Sequence, residues 1–178
     1  MADSIFIADN PEAEVDRLRQ SLGLDDRWLA RQLHALGFDS SCACLVPFVP
    51  AIDLAWIDGL TKREHQRILA LIGQRHPHLS VAARRLLSAW LAQPPSKAVI
   101  RVVRRILRDQ LSVLPPVERP ALRARVVGPC VDLACTSGAW FGESAVSPAE
   151  SAWLRRLERS LQPDAEVAPP AIVPRGRH

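Results

Sequence analysis

The sequence predicts an all-α fold: a single compact domain of about eight helices, built from two related helix-pair halves. Three observations predict it. No segment sustains the period-two alternation of apolar and polar residues that marks a half-buried strand. Apolar residues instead recur at helical spacing, in stretches that open on Ser, Thr, Asp or Asn and close on Gly or Pro. Finally, a pattern running from Pro50 to Glu64 returns, in altered form, from Pro129.

The repeat sets the architecture. Pro50, Ile52, Asp53, Leu54, Ala55 and Gly59 correspond to Pro129, Val131, Asp132, Leu133, Ala134 and Gly138. After a seven-residue insertion, Ala139 to Ala145, the second copy resumes at Val146-Ser147-Pro148-Ala149-Glu150, matching Leu60-Thr61-Lys62-Arg63-Glu64. Each copy reads as a helix closed by a glycine, which adopts the left-handed conformation at little steric cost, and then a second helix. Thr61 and Ser147 are N-caps, and the glutamate three residues on completes a capping box. Pro148 takes the first helical position, where its missing N–H costs nothing.

In chain order, residues 1–10 form an arm. Asp9 or Asn10, with Pro11, Glu12 and Glu14, starts a helix that carries Val15, Leu18 and Leu22 and stops at Gly23. Asp25 or Asp26 caps a second helix through Leu36, with Trp28, Leu29, Leu33 and Leu36 at helical spacing. Ser40-Ser41 starts a third, with its regular part over residues 49–58, because Pro47 and Pro50 interrupt helical hydrogen bonding. The capped helix of the first copy runs from Lys62 to Arg75. Ser80 caps the next, to about Gln93, and Ser96 the next, over residues 97–113. A long segment from Val117 to Ser137 enters the second copy with Pro129 as a kink, and the last helix covers 148–161. The expected domain is therefore 11–161. The proline-rich stretch 162–178 has no apolar periodicity and reads as a disordered tail.

Composition narrows the function classes. The 178 residues are 48% apolar and 24% charged, as in ordinary globular proteins. No stretch approaches the roughly 18 apolar residues of a membrane span, and the N-terminus has no basic segment ahead of its short apolar run. These features predict a soluble cytoplasmic protein. The four cysteines are scattered and make no disulfide framework. Charge is uneven: residues 1–40 hold eight acids and four bases, whereas Lys97 to Arg125 holds eight bases against Asp109 and Glu118.

Two sets of residues carry candidate chemistry. Asp53 and Asp132 occupy equivalent positions and, with Asp58, offer carboxylate oxygens for a divalent cation, Ca²⁺ or Mg²⁺. The alternative is that each bonds neighbouring backbone or an arginine, the usual fate of a buried acid. Arg101, Arg104, Arg105 and Arg108 fall on one helix face, largely opposite Val99, Val102, Val103, Ile106 and Leu107. Such a face serves a protein partner, nucleic acid or anionic lipid, or is simply solvated. Trp140 and Phe141 in the insertion are aromatic anchors for a partner or cover the core. Cys42-Ala43-Cys44 and His76-Pro77-His78 lack the ligand spacing of zinc sites. No nucleophile–base grouping or phosphate-binding glycine loop appears.

The turn Ile57-Asp58-Gly59 followed by Leu60-Thr61 to Glu64, echoed by Ser137-Gly138 and Val146-Ser147 to Glu150, resembles the tellurite-resistance TerB-like family over residues 25–161. The second copy departs from it through Ser137 in the acidic position and through the inserted loop. The resemblance implies an internally duplicated all-helical module of the bacterial stress response. It implies protein or divalent-cation binding rather than catalysis, and a place in the cytoplasm or peripheral to the inner membrane.

Overall fold

A computed structural model of the chain describes residues 10–137 and 146–162. The described residues contain eight α-helices and one 3₁₀ segment, with no strand among them. The helices are α1 Pro11–Leu22, α2 Arg27–Ala35, α3 Val49–Ala55, α4 Lys62–Arg75, α5 Val81–Ala92, α6 Lys97–Val113, α7 Arg119–Ser137 and α8 Pro148–Ser160. The all-α expectation therefore holds. The expected arm, apart from Asn10, and the expected tail, apart from Gln162, lie outside the described residues.

Most helix starts follow the cap residues. Asn10, Asp26, Ser80 and Ser96 each accept a backbone N–H from the first turn of α1, α2, α5 and α6. Thr61 and Ser147 form complete capping boxes with Glu64 and Glu150, and both glutamates are buried beneath their own turns. Gly23 and Gly59 have φ of 61° and 90°, where a side chain would strain the backbone. Removing the hydroxyl of either box leaves an unpaired N–H at the helix start. Thr61→Ala and Ser147→Ala are each expected to cost about 1 kcal/mol, read as a lower urea midpoint with unchanged slope.

The approach to the first motif differs from the expected helix. Ser40–Phe48 is a 3₁₀ segment capped by Asp39, and the α-helical part is only Val49–Ala55. The prolines explain this. Pro47 has no N–H for the Ala43 carbonyl, and Pro50 none for that of Val46. The Val46 carbonyl takes the Val49 N–H instead, in the tighter three-residue pattern. The helix then ends early, through three-residue bonds from Trp56 to Asp53 and from Ile57 to Leu54.

In the second motif the corresponding proline lies inside a continuous helix, α7. Pro129 leaves the Arg125 carbonyl without its intrahelical donor. Arg75, at the end of α4, donates Nη1 to that carbonyl at 3.1 Å. A side chain from a neighbouring helix thus replaces the bond that proline removes.

One apolar cluster draws on all eight helices, from Val15, Leu18 and Leu22 of α1 to Trp153 and Leu157 of α8. α3 sits at its centre and packs on α6, α7 and α8 as well as α4. Ile52 and Leu54 are accordingly buried. In α7, which also packs on α4 and α8, Leu133 is buried but Val131 is exposed, so the outer side of that helix faces solvent. Trp28 is the clearest departure from the expected core of α2. Leu29 and Leu33 carry that core, whereas Trp28, one residue round the helix, is 50% exposed. Among the described residues no single helix is long and apolar enough to cross a membrane.

Candidate functional site: a basic groove along α6

The amphipathicity of α6 creates the site. Val99, Val103, Ile106, Leu107 and Leu111 turn inward and are buried, which fixes the rotation of the helix on the core. Full burial of such side chains contributes about 1.5–3 kcal/mol each. That rotation leaves Lys97, Arg101, Arg105 and Arg108 exposed. Arg104 lies at the edge of the buried face and is half-buried.

Arg104 is pinned. Its Nη2 donates to Asp53 Oδ2 at 3.1 Å, and the same oxygen accepts from Trp153 Nε1 at 3.1 Å. The Arg104 guanidinium also lies over the Trp153 ring, 5.3 Å from its centroid. One carboxylate on α3 therefore ties α6 to α8. Burial pushes the Asp53 pKa above the ordinary aspartate range, and it outweighs the opposing pull of Arg104 and the hydrogen bonds from Trp153 and Arg104. Arg104 Nε is buried without a hydrogen-bond partner among the described residues, so the guanidinium keeps an unspent donor.

Around this pin lies a groove of about 500 Å³. Lys97, Arg101, Arg104, Arg105 and Arg108 form its α6 wall, with Asp53 and Ser160 opposite. Five cations thus face one carboxylate, and that carboxylate is already engaged by Arg104. Lys97, Arg101 and Arg108 have no acidic partner among the described residues. Arg105 lies over the exposed ring of Trp28, 5.0 Å from its centroid. Beyond that end the surface turns acidic: burial, and then the nearby Asp26 and Asp25, raise the pKa of Asp109.

The candidate cation ligands do not converge. Asp53 is held as described. Asp132 accepts from Arg67 Nη2 at 2.6 Å, and Asp58 accepts from the Ser147 hydroxyl at 3.3 Å. Among the described residues no three metal-type side chains are grouped to hold an ion. Cys42 is buried, which pushes its thiol pKa up to about 11. Burial also raises Cys130. Both behave as core residues. Trp140 and Phe141 lie outside the described residues.

The two aspartates share a pattern nonetheless. Arg67 stands six residues after the N-cap Thr61, and Trp153 six residues after the N-cap Ser147 (67 − 61 = 153 − 147 = 6). Asp132, in the second motif, bonds the first of these; Asp53, in the first motif, bonds the other. Each motif aspartate thus reaches the same helical position of the opposite copy. Spacing along the chain gave no signal of this, because each bond spans the interface between the motifs.

No protein-family model matches the chain, and no curated protein or solved structure matches it significantly.

Proposed function

We propose that this protein is a non-catalytic binding module that engages an anionic partner through the α6 groove. The observation carrying the proposal is the row Lys97, Arg101, Arg105 and Arg108 beside the pinned Arg104, lining one concave surface. Guanidinium groups stay protonated throughout the physiological range. A site built from them suits holding a negative charge better than transferring a proton. Several like charges gathered along one groove raise the local potential and draw an anion to it.

The test is binding of inorganic polyphosphate at low salt. Reversing Arg101 and Arg108 to Glu, both exposed and without acidic partners among the described residues, should weaken binding at least about ten-fold with an unchanged far-ultraviolet circular dichroism spectrum. Reversing Arg84 and Arg85 on α5, which are exposed but do not line the groove, should leave binding within about two-fold. Equal losses in both variants would reduce the site to general net-charge attraction.

The reciprocal aspartate bonds and the two capping boxes favour a second, compatible reading: a duplicated helix pair of the tellurite-resistance TerB-like kind. On this reading the module acts by protein or ion binding in a bacterial stress response, in the cytoplasm or at the inner membrane surface. The engagement of Asp53 and Asp132 by Trp153, Arg104 and Arg67 favours the partner-binding form over the cation-binding form. Thermal unfolding with and without Ca²⁺ or Mg²⁺ checks it: partner binding predicts no metal-dependent rise, and a rise abolished by Asp132→Asn would restore the cation site.

A further inference from the structure

We infer that the anionic partner of the α6 groove is a single-stranded nucleic acid, with its phosphates along Lys97 to Arg104 and an unpaired base stacked on Trp28. The inference rests on the anion-binding reading and names the partner class.

Three features separate this ligand from other polyanions. The first is the cation row. Lys97 to Arg104 spans about 10 Å at the helical rise, with a positive charge on every turn: Lys97, Arg101 and Arg104. That is a track for a chain carrying charge at regular intervals. The second is Trp28. It is 50% exposed, on a helix that packs against α6, and its ring lies under the Arg105 guanidinium. Arg105 occupies one face of the indole, and the exposed remainder beside a cation row is a stacking platform for a base. An acidic peptide offers carboxylates to the row but no planar group for the indole.

The third is the acidic end. Asp26 caps α2 through the Trp28 N–H at 2.7 Å, and Asp25, Asp26 and Asp109 are electrostatically coupled there. These carboxylates repel a phosphate placed near Trp28 but not an uncharged base. They also oppose a flat anionic bilayer, which would bring headgroups onto the cations and the carboxylates together. A duplex is disfavoured because its bases are already stacked on one another and cannot reach the indole without unpairing.

The experiment compares four probes at low salt by fluorescence anisotropy or co-sedimentation: a single-stranded oligonucleotide of about twelve residues, an abasic strand of the same length, an oligoglutamate peptide, and vesicles containing phosphatidylserine. The expected result is tightest binding of the oligonucleotide. Trp28→Ala should weaken that binding about ten-fold and leave the abasic strand within about two-fold. Trp28→Leu, which keeps apolar bulk but offers no ring, should behave like the alanine variant. Trp28→Phe should recover most of the loss. The inference is overturned if the peptide or vesicles bind as tightly as the oligonucleotide, or if Trp28→Ala weakens both strands equally. In either case the anion-binding reading survives. If none of the four probes nor polyphosphate binds at low salt, both readings fall.

Discussion

Asp53→Ala is expected to destabilise the protein by about 2–3 kcal/mol, whereas Asp53→Asn stays within about 1 kcal/mol of wild type at neutral pH. The alanine leaves the Trp153 indole N–H and the Arg104 guanidinium facing a void. Breaking a fully buried pair costs more, but both side chains here keep some contact with solvent. The asparagine retains an oxygen acceptor and removes a carboxylate whose ionisation is opposed by burial. The sign of the pH dependence follows from the raised pKa. The folded chain holds the Asp53 proton more tightly than the unfolded chain does. Asp53 therefore contributes its full stability below the ordinary aspartate pKa and loses it as pH rises through the raised value. Relative to Asp53→Asn, the wild type should be at its best in acid and lose ground as pH rises across that window. Urea unfolding of both proteins at several pH values measures this difference directly. A difference that grows in favour of wild type as pH rises would mean that Arg104 and Trp153 outweigh burial.

Leu54→Ala is expected to cost about 2–5 kcal/mol, a large share of the roughly 5–15 kcal/mol that holds a domain together. Leu54 is 1% exposed on α3, the central helix, which packs on α4, α6, α7 and α8. So many surrounding helices limit how far the cavity can collapse, which places the cost in the upper part of that range. Val131→Ala supplies the contrast. It lies in the second motif, one residue before Asp132, and is 44% exposed. Its replacement should change stability by no more than about 0.5 kcal/mol. A comparable cost at both positions would contradict the burial of Leu54 and the outward placement of Val131.

What was legible in the sequence is what is local. Asn10, Thr61, Ser80, Ser96 and Ser147 announce their helices because a cap bonds within its own first turn. The inward stripe of α6 is legible because its period is that of the helix. The 3₁₀ segment was harder, since Pro47 and Pro50 say where α-helical bonding fails but not which pattern replaces it. The partners of Asp53 were hidden, because Arg104 lies 51 residues away and Trp153 lies 100 residues away. A faint signal existed for Arg104: Ile100, one turn earlier on the same edge of α6, is apolar and half-buried. The exposure of Trp28 is not legible from spacing, because an aromatic residue beside Leu29 looks like core. Only the packing of α2 on α6 turns it outward under Arg105.

The central claim is that fixed cations of the α6 groove, and not net charge alone, hold an anionic partner. The dependence of polyphosphate affinity on salt concentration tests it most directly. Each cation in contact with the polyanion releases counterions on binding, so log K falls with log salt at a slope set by the number of contacts. The account predicts a steep wild-type slope that falls by about one for each of Arg101→Ala and Arg108→Ala, and by about two in the double variant. Arg84→Ala should leave the slope unchanged. An unchanged slope in the double groove variant, or equal decreases for Arg84 and the groove arginines, would contradict it.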